Sequence, residues 1–107
     1  MEPTPNLPWS EQFRIVSKQW VDADAAATLL EDTKSAVLAE RVQAHSDQPV
    51  NRAEAIVKAS PEWRDHLEKI VTARRAANRL KVQMEYLRMK FSEWQSEEAN
   101  KRHEARL

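Results

Sequence analysis

The stretch that decides the fold is residues 60–94, which read SPEWRDHLEKIVTARRAANRLKVQMEYLRMKFSEW. Serine as a capping residue, followed by proline at the first helical position, is typical of a helix start. After Pro61 the sequence contains neither glycine nor proline up to its last residue, so nothing interrupts the helix. The stretch therefore predicts one long helix over about residues 61–105.

Apolar residues in this helix recur at alternating steps of three and four, which places them on one helical face. With Trp63 at heptad position a, nine of the ten a and d positions up to Trp94 are apolar. The exception is His66, which we expect to be a packed residue and not a general base. A face of this length predicts that the helix packs along another helix.

Two further helices are expected before this one. Ser10 as an N-cap, with apolar or small residues repeating from Phe13 onward, predicts a helix over about residues 10–45. Asn51 with Glu54 three residues later resembles a capping box and predicts a short helix over about 51–59. Residues 1–9 hold three of the five prolines, so they are expected to form an extended arm, either a disordered tail or a docking segment.

The sequence therefore predicts an all-α fold, with one helical domain over residues 10–107. The two long helices, joined through the short one, are expected to fold back as an antiparallel pair. Because such a pair has a thin core, we expect homo-oligomers that share apolar faces. The alternative is that the same residues fill an intramolecular core. The expected oligomer interface consists of Phe13, Trp20, Trp63, Ile70, Ala77, Met84, Phe91 and Trp94.

Composition argues against most kinds of enzyme. The chain has no glycine and no cysteine, which excludes glycine-rich phosphate-binding loops, disulfides and thiolate metal sites. His45 lies on a different predicted helix from His66 and His103, which are far apart on the last one, and no spacing of His and acidic residues suggests a metal site. We expect no catalytic activity, cofactor or metal. No apolar run is long enough to span a membrane and no signal peptide is visible, so a cytoplasmic protein is expected.

Basic residues are concentrated in the second half of the chain. The total is 17 basic and 17 acidic residues, but residues 61–107 hold 11 basic and 8 acidic ones. A basic stripe beside an apolar face can follow a phosphate backbone. The alternative is that these cations pair with Glu31, Asp32 or Glu40 of the first helix. The predicted nucleic-acid contacts are Lys34, Arg41, Arg74, Arg75, Arg79, Lys81, Arg88 and Lys90.

The order of two segments resembles that of a known family. Residues 30–41, LEDTKSAVLAER, are followed after a linker by residues 60–94, with ARRAANRL at 73–80. This order is similar to that of the UvsY-type recombination mediators of tailed phages and of small helical proteins encoded beside phage recombination genes. The resemblance covers about residues 25–100 and rests on helix order and spacing.

The resemblance implies a helical oligomer in the host-cell cytoplasm that binds single-stranded DNA. Such mediators help to load a RecA-like recombinase onto strands covered by single-strand-binding protein, so both proteins are implied partners. Lys34, Arg41 and the basic residues of the last helix would contact DNA. The alternative function is a helical protein-interaction module without DNA binding, such as a phage inhibitor of a host or defence protein.

Overall fold

The computed structural model describes residues 6–107. Helix accounts for 87% of the structure, and the described residues include no strand. The all-α prediction is therefore confirmed. The first five residues of the predicted arm lie outside the described residues. In residues 6–107 the chain forms four helices, α1 (Trp9–Asp32), α2 (Lys34–Gln43), α3 (Val50–Lys58) and α4 (Pro61–Arg106).

The predicted helix over residues 10–45 is divided at Thr33 into α1 and α2. The Thr33 hydroxyl donates a hydrogen bond of 2.7 Å to the carbonyl of Leu29, a contact that often bends helices. Backbone hydrogen bonds continue on both sides, from Thr33 N–H to the Leu29 carbonyl and from Val37 N–H to the Thr33 carbonyl, each 3.0 Å. Thr33 therefore marks a local break in a helical path that otherwise continues.

The start of α1 differs from the prediction because Ser10 does not cap it. The helix begins at Trp9, and the carbonyl of Pro8 accepts hydrogen bonds from the N–H groups of Glu11 and Gln12, both 3.0 Å. The side chain of Gln12 is buried and donates from Nε2 to the carbonyl of Leu7 at 2.7 Å. The residues before the helix are thus held against its first turn by backbone acceptors.

The capping box predicted for α3 is also wrong. Pro49 precedes the helix with φ −56° and ψ 146°, no side chain caps the end, and Asn51 already lies inside the helix. The Pro49 carbonyl accepts a 2.9 Å hydrogen bond from Ala53 N–H. Glu54 instead forms an ion pair of 2.7 Å with Lys58, one turn later.

The start of α4 is as predicted. Ser60 Oγ accepts a 3.2 Å hydrogen bond from Trp63 N–H, which satisfies one of the free donors at the helix start. The same hydroxyl donates to the carbonyl of Val57 at 2.6 Å, which ties the end of α3 to the start of α4. From Pro61 the helix continues for 46 residues.

The structure divides into two compact units. The central unit is Ala23–Ala77 and contains α2 and α3, which pack against each other. The terminal unit combines residues 6–22 with Asn78–Leu107. Each unit has its own small core. Buried apolar side chains are Val16 and Leu87 in the terminal unit, and Ala27, Ala53, Val57, Trp63, Ile70 and Ala77 in the central unit.

Candidate functional site

Arg74 is the most heavily engaged of the predicted nucleic-acid contacts. From α4 its guanidinium reaches α1 within the central unit, where Nη1 lies 2.7 Å from Asp24 Oδ1. Nη2 and Nε bind the two carboxylate oxygens of Glu31 at 2.7 and 2.9 Å. Nη2 also donates to Thr28 Oγ1 at 3.2 Å. The alternative pairing with Glu31 is thus confirmed for Arg74, and Asp24 is an additional partner that the sequence pattern did not indicate.

This arrangement shifts the pKa of both Arg74 and Glu31. The hydrogen bonds from Arg74 lower the pKa of Glu31 below its ordinary value. The hydrogen bonds to Glu31 and then to Asp24 raise the pKa of Arg74 further. A guanidinium held by two carboxylates has little capacity left for a phosphate. Arg74 therefore acts in this structure as a clamp between α1 and α4.

Arg41 lies against an aromatic pair in the central unit. Its guanidinium carbon is 5.8 Å from the ring centroid of Trp63, within the range of a cation–π contact. The buried Trp63 ring stacks on His66 with 5.4 Å between centroids and 26° between planes. Arg41 also lines an open groove of about 450 Å³ between α2, α3 and the start of α4. His66 is thus a half-buried packing residue, as expected.

Two predicted contacts in the terminal unit lie over aromatic rings. The guanidinium of Arg88 is 5.7 Å from the centroid of Phe13. Lys90 Nζ is 5.9 Å from the centroid of Tyr86 and 3.6 Å from a carboxylate oxygen of Glu93. Arg88 is exposed and Lys90 is half-buried, so both cations keep access to solvent.

The remaining predicted contacts are exposed and unengaged. Within residues 6–107 they form neither an ion pair nor a side-chain hydrogen bond. Arg79 and Lys81 belong to the terminal unit, and Lys34 and Arg75 to the central unit. The basic stripe is thus heterogeneous, with half of its members engaged inside the chain. The four unengaged residues are Lys34, Arg75, Arg79 and Lys81.

An exposed aromatic pair lies on α4 in the terminal unit. The rings of Phe91 and Trp94 stack at 5.9 Å between centroids and 25° between planes. They retain 38% and 44% exposure, whereas Leu87, one turn before Phe91, is buried. Beside the pair, Trp9 and Phe13 join Leu87 and Phe91 around an apolar groove of about 270 Å³. The apolar face of α4 thus continues beyond the part that α1 covers.

The residues predicted for an oligomer interface differ widely in exposure. Trp63, Ile70 and Ala77 are buried within a single chain, so the intramolecular core accounts for them without a second copy. Phe13, Trp20 and Met84 are half-buried, and Phe91 and Trp94 are exposed. Oligomer formation through these residues stays a prediction.

The sequence interpretation missed a second apolar face of α4. Val82, Tyr86 and Met89 are 64%, 52% and 60% exposed. Their spacing of four and three residues was a visible signal. The stronger heptad pattern of Leu80, Met84 and Leu87, each two positions earlier, accounts for the first apolar face. On α1, Leu29 is also 64% exposed.

Neither a metal-binding cluster nor a membrane-spanning helix is found in residues 6–107. No group of three or more His, Asp or Glu residues in residues 6–107 lies close enough together to hold a metal ion. None of the helices in this range combines the length and the apolar character that crossing a membrane requires. No protein-family model, curated protein or solved structure matches this chain.

Proposed function

We propose that the protein is a non-enzymatic accessory factor that binds single-stranded DNA, similar in role to a phage recombination mediator. The observation that carries the proposal is the stacked and exposed pair of Phe91 and Trp94. Proteins that bind single strands without sequence preference combine aromatic rings, on which bases stack, with cations that follow the backbone. A RecA-like recombinase and a single-strand-binding protein are the proposed protein partners.

The charges on the α4 segment that precedes the aromatic pair support this choice. Residues 78–90 contain the cations Arg79, Lys81, Arg88 and Lys90 and a single acid, Glu85, whereas Glu93, Glu97 and Glu98 lie beside Trp94 and after it. Each cation that meets a phosphate releases condensed counterions, which favours binding at low salt. The proposed site is therefore narrower than the stripe expected from sequence, because Arg74 is held by Asp24 and Glu31.

The proposal includes a homo-oligomer in which the two long helical segments of each chain run antiparallel. A chain with zero formal net charge attracts a polyanion weakly through its overall field. Repeating one modest site in several linked copies raises the effective affinity for a long strand without any new contact. An oligomer is therefore the form in which this site is expected to work.

Removing the two exposed rings tests the proposal. Phe91→Ala with Trp94→Ala should weaken binding of a fluorescent oligothymidylate about tenfold or more, because stacking contributes about 1–3 kcal/mol per base. Both rings are exposed, so the helical circular-dichroism spectrum should not change. Val50→Ala, another exposed apolar residue, is the matched control. Unchanged oligothymidylate affinity in the double variant would contradict the proposed site.

A second candidate function is supported by the groove between Trp9, Phe13, Leu87 and Phe91. An open apolar groove beside a helix can receive the apolar face of a partner helix. In that case the chain is a protein-interaction module and the DNA contacts are absent. Binding to a purified recombinase or single-strand-binding protein that resists added salt, with no binding to oligothymidylate, would favour this function over the first.

A further inference from the structure

The second apolar face of α4, in the terminal unit, consists of Val82, Tyr86 and Met89. These residues follow each other at four and three positions, so at 3.6 residues per turn they lie on one side of the helix. All three are more than half exposed. Within residues 6–107, the interaction found on this face is that of Lys90 Nζ, which lies 5.9 Å from the Tyr86 ring centroid. Large apolar side chains aligned in this way are the pattern by which one helix anchors on another.

The face ends in a cation on one side and in a carboxylate on the other. At about 100° per residue, Arg79 and Glu93 each lie within roughly 20° of the direction of Tyr86. Arg79 is seven residues before Tyr86 and Glu93 is seven residues after it, so each lies about 10 Å from Tyr86 along the helix axis. Glu85 and Lys81 lie about 100° and about 140° from the direction of Tyr86, outside the face. The apolar residues and the two charged ends therefore form one line along α4.

Both charged ends are accessible to a partner. Arg79 is exposed and forms neither an ion pair nor a side-chain hydrogen bond within residues 6–107. The Glu93 side chain is 64% exposed, and its contact with Lys90 measures 3.6 Å from Nζ to Oε2. An ion pair this exposed contributes little to stability, and the second carboxylate oxygen can accept from another cation. An arginine placed opposite Glu93 can therefore bind it.

These positions make the face complementary to itself in one orientation. If two copies of α4 run antiparallel about a two-fold axis beside Tyr86, residues at equal distances before and after Tyr86 face each other. Arg79 of each copy then lies opposite Glu93 of the other, and the apolar residues meet between the two ion pairs. Parallel helices would instead place Arg79 opposite Arg79, and like charges across a contact oppose it. Glu93 within the face also disfavours a nucleic-acid strand as its cover, because a carboxylate repels phosphates.

We infer that two copies of the protein form a dimer in which the second apolar faces of their α4 helices pack antiparallel across a two-fold axis. Both copies use the same surface, so the contact is closed and joins two chains without extending further. The inference rests on the self-association included in the proposed function and names the surface that produces it. The contact occupies Arg79, and the cations left for phosphates are Lys81, Arg88 and Lys90.

Charge reversal tests both the surface and its orientation. Arg79→Glu alone and Glu93→Arg alone each replace two attractive contacts with two repulsive ones, because the two-fold axis repeats every change. Each should raise the dissociation constant of the dimer about tenfold or more, as measured by sedimentation equilibrium. Both side chains are exposed, so folding should be retained. Arg52→Glu on α3 makes the same charge change at an exposed position of the central unit and, as the matched control, should leave the dimer unchanged.

The combined variant, Arg79→Glu with Glu93→Arg, gives the decisive result because it exchanges the two charges and restores both ion pairs. It should dimerise like the unaltered protein, at twice the 12.4 kDa chain mass. A combined variant that does not recover, or single variants that dimerise normally, overturns the inference even if the unaltered protein assembles. A monomeric unaltered protein that binds oligothymidylate overturns the inference and the oligomer, but leaves the DNA site standing. Dimers that follow the reversal pattern without binding oligothymidylate support the inference and contradict the DNA site.

Discussion

At the scale of single residues, Arg74 shows why charge patterns alone do not identify a binding surface. In sequence it belongs to the regular stripe with Lys81 and Arg88. In the structure it is bound to Asp24 and Glu31, which lie two turns apart on α1. A heptad repeat gives the side of the helix on which a cation lies. It does not show whether an acidic side chain of a neighbouring helix lies within reach of that cation. Only the packing of α1 beside α4 decides that.

The Arg74 clamp predicts a pH dependence of stability. Because the pKa of Glu31 is lower in the folded chain than in the unfolded one, its stabilising contribution is complete above the unfolded pKa and is lost as pH falls through the folded value. The raised pKa of Arg74 adds no change in this range, since that group stays protonated. Glu31→Gln should lower the melting temperature at pH 7 and reduce its decline towards acid pH.

The control for this prediction is Glu97→Gln on α4, an exposed carboxylate without an ion pair in residues 6–107. Its melting temperature should follow that of the unaltered chain at each pH. If Glu31→Gln also gives a curve parallel to the unaltered one, the contact with Arg74 contributes nothing and the clamp has no role in stability.

At the scale of elements, the helix starts show what sequence determines. Ser60 caps α4 as predicted. Pro61 occupies the first helical position, so Ser60 lies just before the helix and its hydroxyl accepts the hydrogen bond from Trp63 N–H. Ser10 and Asn51 are equally good capping types, yet α1 and α3 begin one residue earlier, after prolines whose carbonyls accept the first hydrogen bonds. A proline two residues before the expected capping residue therefore moved both starts.

The difference between the two serines can be measured. Ser60→Ala should lower the free energy of unfolding by about 1 kcal/mol, the usual contribution of an N-cap. Ser10→Ala should change it little, because Ser10 lies inside α1 and does not cap it. Urea unfolding followed by circular dichroism compares the two variants directly. Equal losses at both positions would show that the Ser60 hydrogen bond to Trp63 is not the source of stability.

The division at Thr33 was beyond sequence reasoning for a different reason. Threonine is only mildly unfavourable in a helix, so the pattern over residues 10–45 predicted no break. The break coincides with one hydroxyl that binds the carbonyl of Leu29, and a serine or threonine at other points of a helix often points to solvent instead. The long α4 was predictable because no residue in it competes with the helix.

At the scale of the whole molecule, some apolar side chains are buried within the chain and others are exposed to solvent. Trp63, Ile70 and Ala77, which the heptad pattern placed on an apolar face either shared between copies or packed within one chain, are buried within a single chain. The second apolar face of α4, formed by Val82, Tyr86 and Met89, went unrecognised because these residues follow the same spacing, displaced by two positions from Leu80, Met84 and Leu87. Periodicity gives the faces of a helix, and the number of partners decides which faces are covered.

The proposed function as a whole depends on whether phosphates are neutralised. Four cations precede the exposed rings along α4, namely Arg79, Lys81, Arg88 and Lys90. For single strands the logarithm of affinity falls by about 0.7 per neutralised phosphate for each decade of salt. If three or four phosphates are contacted per copy, raising salt from about 50 to about 200 mM should weaken binding roughly 20- to 50-fold.

The most direct test is therefore a titration of the unaltered protein with fluorescent oligothymidylate at these two salt concentrations. We predict measurable binding at low salt and a loss of at least roughly 20-fold at high salt. Absence of binding at low salt, or an affinity that does not change with salt, would contradict the claim that this protein binds single-stranded DNA.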